Sequence, residues 1–202
     1  MNKMSAYALT GLLTLTLVTA CAKKPDTDIV AARASVDAVI ADGAEQYVPE
    51  QAQLVGETLQ AAMDEIQIQD GKFFKSYDKA KELLTKTKTD AEALRPVVAE
   101  AKQQAKADAE AEYTAAQEAI QEAITLISNA PRGKGSMADI EALRSDIKGL
   151  EDSLPEVSGM IENEEFLPAR EKAAAIKSQA DSVSEEIRAA MEKVKSVRRK
   201  LS

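Results

Sequence analysis

Histidine and tryptophan are absent from this chain of 202 residues, and cysteine occurs once. Each absence excludes a class of chemistry. Without histidine there is no Ser-His-Asp triad, and the commonest general base and metal ligand is missing. The Glu-x-x-His pairs that hold metals in carboxylate-bridged helical bundles are excluded as well. With one thiol there is no intramolecular disulfide and no thiolate zinc site. Aromatic residues are scarce, three phenylalanines and four tyrosines. Basic residues number 26 against 34 acidic ones, a formal charge of −8. That balance argues against general binding of nucleic acid, which depends on neutralising phosphates. No cofactor and no nucleic-acid partner is therefore expected.

What the chain does have begins at its first residues. Lys3 precedes an uncharged run, Ala8 to Val18, that holds five leucines and ends in the small residues Thr19 and Ala20 before Cys21. This is the layout of a secretion signal. The run is shorter than the roughly 20 residues that a lasting transmembrane helix needs. Removing residues 1–20 takes away Lys3 and no acid, so the remainder is one charge more negative than the whole.

The ending Val18-Thr19-Ala20-Cys21 resembles the lipobox of bacterial lipoproteins, with valine where leucine is commoner. The resemblance implies cleavage between Ala20 and Cys21 and attachment of acyl chains to Cys21. Such chains anchor a protein without a membrane-spanning helix, each buried methylene adding about 0.8 kcal/mol. Ala22, in place of an aspartate, implies the outer membrane in a cell that has one, with the body facing the periplasm. The alternative is an ordinary secretory signal with a chance cysteine. Residues 21–27, with Lys23, Lys24 and Pro25, then form a short polar tether.

Beyond the tether, apolar residues recur at spacings of three and four, the signature of amphipathic helices. Ile29, Ala32, Val36 and Val39 predict a first helix ending near Gly43. Pro49 suits the first turn of a second, because its missing N–H is needed by no helical partner there. Val55, Leu59, Ala62 and Ile66 carry that helix to the turn signal Asp70-Gly71. A third is expected from about Phe73, through Tyr77, Ala80, Leu84 and Ala91, to Leu94 before Pro96. Tyr47 and the group Phe73, Phe74 and Tyr77, at opposite ends of the second helix, read as apolar plugs under two turns.

Over residues 27–95 the motif Ala44-x-x-Tyr47-x-Pro49, followed by Ala52, Leu59, Ala62, Gly71-x-Phe73 and Tyr77-x-x-Ala80, resembles a family of helical bacterial envelope lipoproteins that contain a domain of unknown function. Val55 stands where that family has alanine. The resemblance implies helical hairpins and an envelope location, and it implies no active site.

From Pro96 onward the repeat resembles a coiled-coil seam. Val98, Ala101, Ala105, Ala109, Tyr113, Ala116, Ile120, Ala123 and Ile127 form one stripe, with a stutter of consecutive fours in its middle. Pro131 to Ser136 should close that helix. Ile140, Leu143, Ile147, Leu150, Leu154, Val157 and Ile161 keep their phase across Pro155, which predicts one kinked helix. Leu167-Pro168 opens a last helix through Ile176, Ala180, Val183 and Ile187 toward Leu201. The expected fold is all-α: N-terminal antiparallel hairpins over 28–95, then a long three-helix, coiled-coil-like bundle over 96–202, about 45–50 Å long. Many seam residues are alanine, which bury little area, so a further protein or a second copy is expected on the helix faces.

Motifs with catalytic overtones dissolve on inspection. Ser76-x-x-Lys79 and Ser145-x-x-Lys148 both match the serine–lysine element of penicillin-binding enzymes, but its Ser-Asp-Asn and Lys-Thr-Gly partners are missing. Gly133-Lys134-Gly135-Ser136 lacks the upstream glycine and the strand of a phosphate loop. Asp108, Glu110 and Glu112, and likewise Glu162, Glu164 and Glu165, lack the spacing of a calcium loop. Lys193, Lys195, Arg198, Arg199 and Lys200 make the C-terminal turns basic. That charge suits a helix C-terminus, or else it makes Arg198, Arg199 and Lys200 a contact for an anionic partner. The chain is thus expected to be a non-catalytic, lipid-anchored scaffold, spacer or adaptor of the cell envelope. The alternative is a cell-wall-binding or ligand-binding lipoprotein that uses the basic end or a groove between helices.

Overall fold

The periodicity of three and four does produce helices. The computed structural model describes residues 23–130 and 137–201, and among these there are six helices and no strand. They are α1 Asp26–Ala41, α2 Ala44–Tyr47, α3 Pro49–Asp70, α4 Asp78–Ser128, α5 Met137–Glu162 and α6 Phe166–Leu201. The expectations for the secretion signal, for Cys21 and for the Pro131–Ser136 turn fall outside the described residues.

The fold is all-α, as the composition and spacing indicate. The helix starts follow local chemistry. Pro49 occupies the first turn of α3, where a proline ring is pre-set for helix. Gly43, between α1 and α2, has φ +101°, a left-handed conformation that costs an L side chain about 1–2 kcal/mol. A Cβ there would also lie 3.1 Å from the Tyr47 ring, so this turn is closed both by backbone and by space.

Two expectations are corrected. The third helix starts at Asp78 rather than near Phe73, and it does not stop before Pro96 but runs unbroken for 51 residues. Proline inside a helix removes one backbone bond and crowds the carbonyl four residues back. Here Pro96 and Glu92 are both exposed, while Leu94 and Val98 are buried, so the carbonyl left without a donor is open to water and the core face is undisturbed. Pro155 within α5 follows the same rule, with Glu151 exposed and Val157 buried. At 1.5 Å per residue α4 is about 76 Å long, so the expected division at residue 95 falls inside one continuous helix.

Helix α4 is a spine shared by two three-helix bundles. Its first half packs against α1 and α3, and its second half against α5 and α6. Each bundle runs up, down, up. In the first, Ile29, Ala32, Ala62, Ile66, Tyr77, Ala80 and Leu84 form the core near the start of α1. Val36, Val39, Val48, Val55, Ala91, Leu94 and Val98 continue it toward the middle of the molecule. In the second bundle Ala105, Ala109, Ala116, Ile120, Ala123 and Ile127 of α4 share one core with Phe166, Ala169, Ala173, Ile176, Ala180 and Ile187 of α6 and with Leu143, Ile147, Leu150 and Val157 of α5.

Candidate tethering and docking surfaces

The chain enters the described structure at Lys23, and the next residue is fastened. Lys24 Nζ donates to Asp70 Oδ2 at 2.8 Å, and the Tyr77 hydroxyl donates to Asp70 Oδ1 at 2.5 Å. One carboxylate therefore ties the residue that leads into α1, the end of α3 and the start of α4. The Gln69 amide bridges the same corner, donating to Glu65 at 2.7 Å and accepting the Ser76 backbone N–H at 3.2 Å. The electrostatics follow from these bonds. The ammonium of Lys24 and then the phenol of Tyr77 hold the Asp70 carboxyl below the usual carboxylate range. The hydrogen bond to Asp70 pushes the Tyr77 hydroxyl up to about 12.

Tyr77 is a plug under this corner, 3% exposed. Phe73 and Phe74 are not, and here the sequence reading is corrected: they are 93% and 85% exposed. Their rings touch only edge to face, with centroids 5.0 Å apart. Tyr77 already closes the core at this corner.

A second junction lies in the middle of the molecule. The Tyr47 hydroxyl donates to the backbone carbonyl of Glu164, 3.4 Å away, in the turn between α5 and α6. Lys102 of α4 pairs with the Glu164 carboxylate at 2.5 Å, and Arg95 pairs with Asp42 at 2.7 Å. Burial raises the Tyr47 hydroxyl above its ordinary range, and Lys102 lowers the Glu164 carboxyl. Glu164 has φ 63°, strained for a residue with a side chain. The turn that carries it thus seats the second bundle against the first. Nothing in the spacing of Tyr47 or Glu164 announces their meeting, because they lie 117 residues apart.

The motifs with catalytic overtones are spent on structure. Ser76 Oγ donates to Asp78 at 2.9 Å while Lys79 reaches Glu65 at 3.4 Å, so the two do not form a pair. Lys148 turns to Asp152 at 3.0 Å. Ser145 lines an open cleft of about 510 Å³ between α5 and α6, together with Asp146, Ser153, Ser178 and Ser182. Of the acidic residues, Asp108 pairs with Arg170 at 3.5 Å and Glu110 with Lys106 at 3.8 Å. Among the described residues no group of three or more potential metal ligands converges, and no helix is long and apolar enough to cross a membrane.

Ion pairs Asp108–Arg170 and Glu122–Arg188 show that α4 and α6 run in parallel. Helix α6 therefore carries the backbone of Arg198, Arg199 and Lys200 to the end of the molecule remote from Lys23. The Gly133–Ser136 segment lies outside the described residues.

No protein-family model matches this chain, and no curated protein or solved structure matches it either. The likeness to helical envelope lipoproteins rests on the residues of 27–95 alone.

Proposed function

We propose that this protein is a non-catalytic, lipid-anchored spacer or scaffold of the bacterial cell envelope. It is held through acyl chains on Cys21 to the outer membrane and faces the periplasm. One observation carries the reading: an unbroken α4 joins the tether corner at one end to the second bundle at the other. A rod about 76 Å long that is fastened beside its own tether can present helix faces at a set distance from a membrane. A further protein or a second copy on those faces would be its partner. The lipobox-like Val18-Thr19-Ala20-Cys21 supplies the anchor, and the absence of histidine leaves the helix faces as the working surface.

The test is fractionation of cells that express the Cys21→Ser chain. Loss of the protein from membranes and loss of incorporated fatty acid are expected. A chain that stays with membranes at its mature size would contradict the reading.

A second reading is favoured by the position of the α6 end. There Arg198, Arg199 and Lys200 would meet an anionic cell-wall polymer while the other end stays tethered. Sedimentation with purified peptidoglycan, lost when all three are replaced by alanine, is the expected outcome of that reading. Unchanged retention in the triple variant would reject it.

A further inference from the structure

Two adjacent phenylalanines lie almost wholly in water at the corner that receives the tether. Soluble surfaces seldom leave neighbouring large apolar rings uncovered without a use for them. Neither ring belongs to a core cluster, and both are flanked by exposed lysines, Lys72 and Lys75. The segment from Gly71 to Tyr77 contains no acid. The carboxylates at its borders are engaged: Asp70 by Lys24 and Tyr77, and Asp78 by Ser76 at the first turn of α4. Asp26 and Asp28 lie in the first turn of α1, where they suit the helix N-terminus. Apolar rings among flexible cations form the pattern of an interfacial membrane contact, in which rings enter the acyl boundary and ammonium groups meet lipid phosphates.

Chain length decides where this corner sits. Cys21 is three residues before Lys24, and three residues span at most about 11 Å whatever their conformation. Lys24 in turn is bonded to Asp70, three residues from Phe73. A lipid on Cys21 therefore holds the aromatic tip at the bilayer surface. We propose that Phe73 and Phe74 insert into that phospholipid surface as a second attachment point, with Lys72 and Lys75 on the headgroup phosphates. This inference rests on the lipid-anchor reading of Cys21. Two contacts restrict the swing that a single flexible tether allows, and so give the spacer a direction as well as a length.

The test uses the full chain, acylated in a bacterial host and reconstituted into vesicles of phosphatidylethanolamine and phosphatidylglycerol. An environment-sensitive fluorophore is placed at Phe74→Cys, or at Asn129→Cys beyond the far end of α4. The expected result is a blue-shifted Phe74→Cys emission, quenched by lipids that carry quencher on their acyl chains, with the Asn129→Cys label remaining in water. Flotation of the vesicles reads the anchor separately. A protein that carries no acyl group and does not float overturns the anchor and the inserted tip together. A protein that floats with a solvated label at Phe74→Cys overturns the tip alone, and crosslinking of that label to another protein would assign the patch to protein docking instead. The Phe73→Ala/Phe74→Ala chain leaves the core intact, so its circular dichroism should be unchanged. Its unacylated form should bind the same vesicles about tenfold or more weakly than the unacylated parent, and equal binding would contradict the proposal.

Discussion

In the bundle nearest Lys24, large side chains come from every long helix: Val39 from α1, Ile66 from α3, Leu84 and Val98 from α4. In the distal bundle the two parallel helices, α4 and α6, bury many alanines, among them Ala105, Ala109, Ala116 and Ala123 facing the same core as Ala169, Ala173 and Ala180, and the larger side chains come from all three helices, such as Ile120, Leu150 and Ile187. The two bundles share one topology and one spine, so the difference isolates two ways of holding helices together. The first relies on apolar area and on fastened turns, with Gly43, Tyr47, Gln69 and Asp70 locking its corners. The second adds close approach to apolar area, since its many alanines bury little themselves but let helix backbones draw together. A strut of two closely packed helices beside a third is suited to transmitting position along its length.

The comparison can be broken most severely in the first bundle. Leu84 is 1% exposed, and Leu84→Ala should lower stability by about 2–5 kcal/mol. In urea denaturation this appears as a lower midpoint. Hydrogen exchange should locate the loss of protection in α1 and α3 more than in α5. In the distal bundle the sensitive change is enlargement. Ala109 is fully buried, and Ala109→Leu should cost about 1–3 kcal/mol through overpacking. The same substitution at exposed Ala93 of the same helix should stay within about 0.5 kcal/mol. Equal effects at the two sites would show that α4 and α6 are not closely packed.

Gly43→Ala tests the fastened turn. A left-handed alanine should cost about 1–2 kcal/mol. It also pushes on the Tyr47 ring 3.1 Å away, so thermal melting should shift downward and tyrosine fluorescence should change.

The smallest effect is one of pH. The folded protein holds the Tyr77 proton up to about 12, whereas an unfolded chain releases it near the ordinary value of about 10. Stability from this bond is thus fully present below pH about 10 and is lost as pH rises through about 12. Tyr77→Phe should flatten that part of the stability profile. On the acid side the sign reverses. The Asp70 carboxyl is lowered by Lys24 and Tyr77, so its contribution is present above the unfolded carboxylate value and disappears as pH falls through the lowered one. Asp70→Asn should remove that acid dependence.

Most of the helices could be read from the sequence because their apolar faces repeat at the helical period. The ends at Gly43, Pro49 and Asp70-Gly71 were legible from glycine and proline chemistry. Pro96 misled for a physical reason: proline removes a backbone bond and so usually ends or kinks a helix, but whether Glu92 and Pro96 face water, where that loss is tolerated, depends on how α1 and α3 pack. Phe73 and Phe74 misled because apolar residues near a turn usually cover a core, and only the structure shows Tyr77 already filling that place. The Lys24–Asp70–Tyr77 corner was invisible, since its members belong to three separate segments. The meeting of Tyr47 with Glu164 depends on the continuous α4, so it could not be anticipated while that helix was divided at Pro96.

A spacer role depends above all on α4 being one rigid element across Pro96. Spin labels at exposed Glu82 and Glu118, in a Cys21→Ser background, lie on the same face of α4 ten helical turns apart. Pulsed electron resonance should give a single narrow distance distribution centred at about 54 Å, at 1.5 Å per residue. A broad distribution, or one centred well below that distance, would mean that the helix breaks at Pro96 and that the two bundles do not form one spacer.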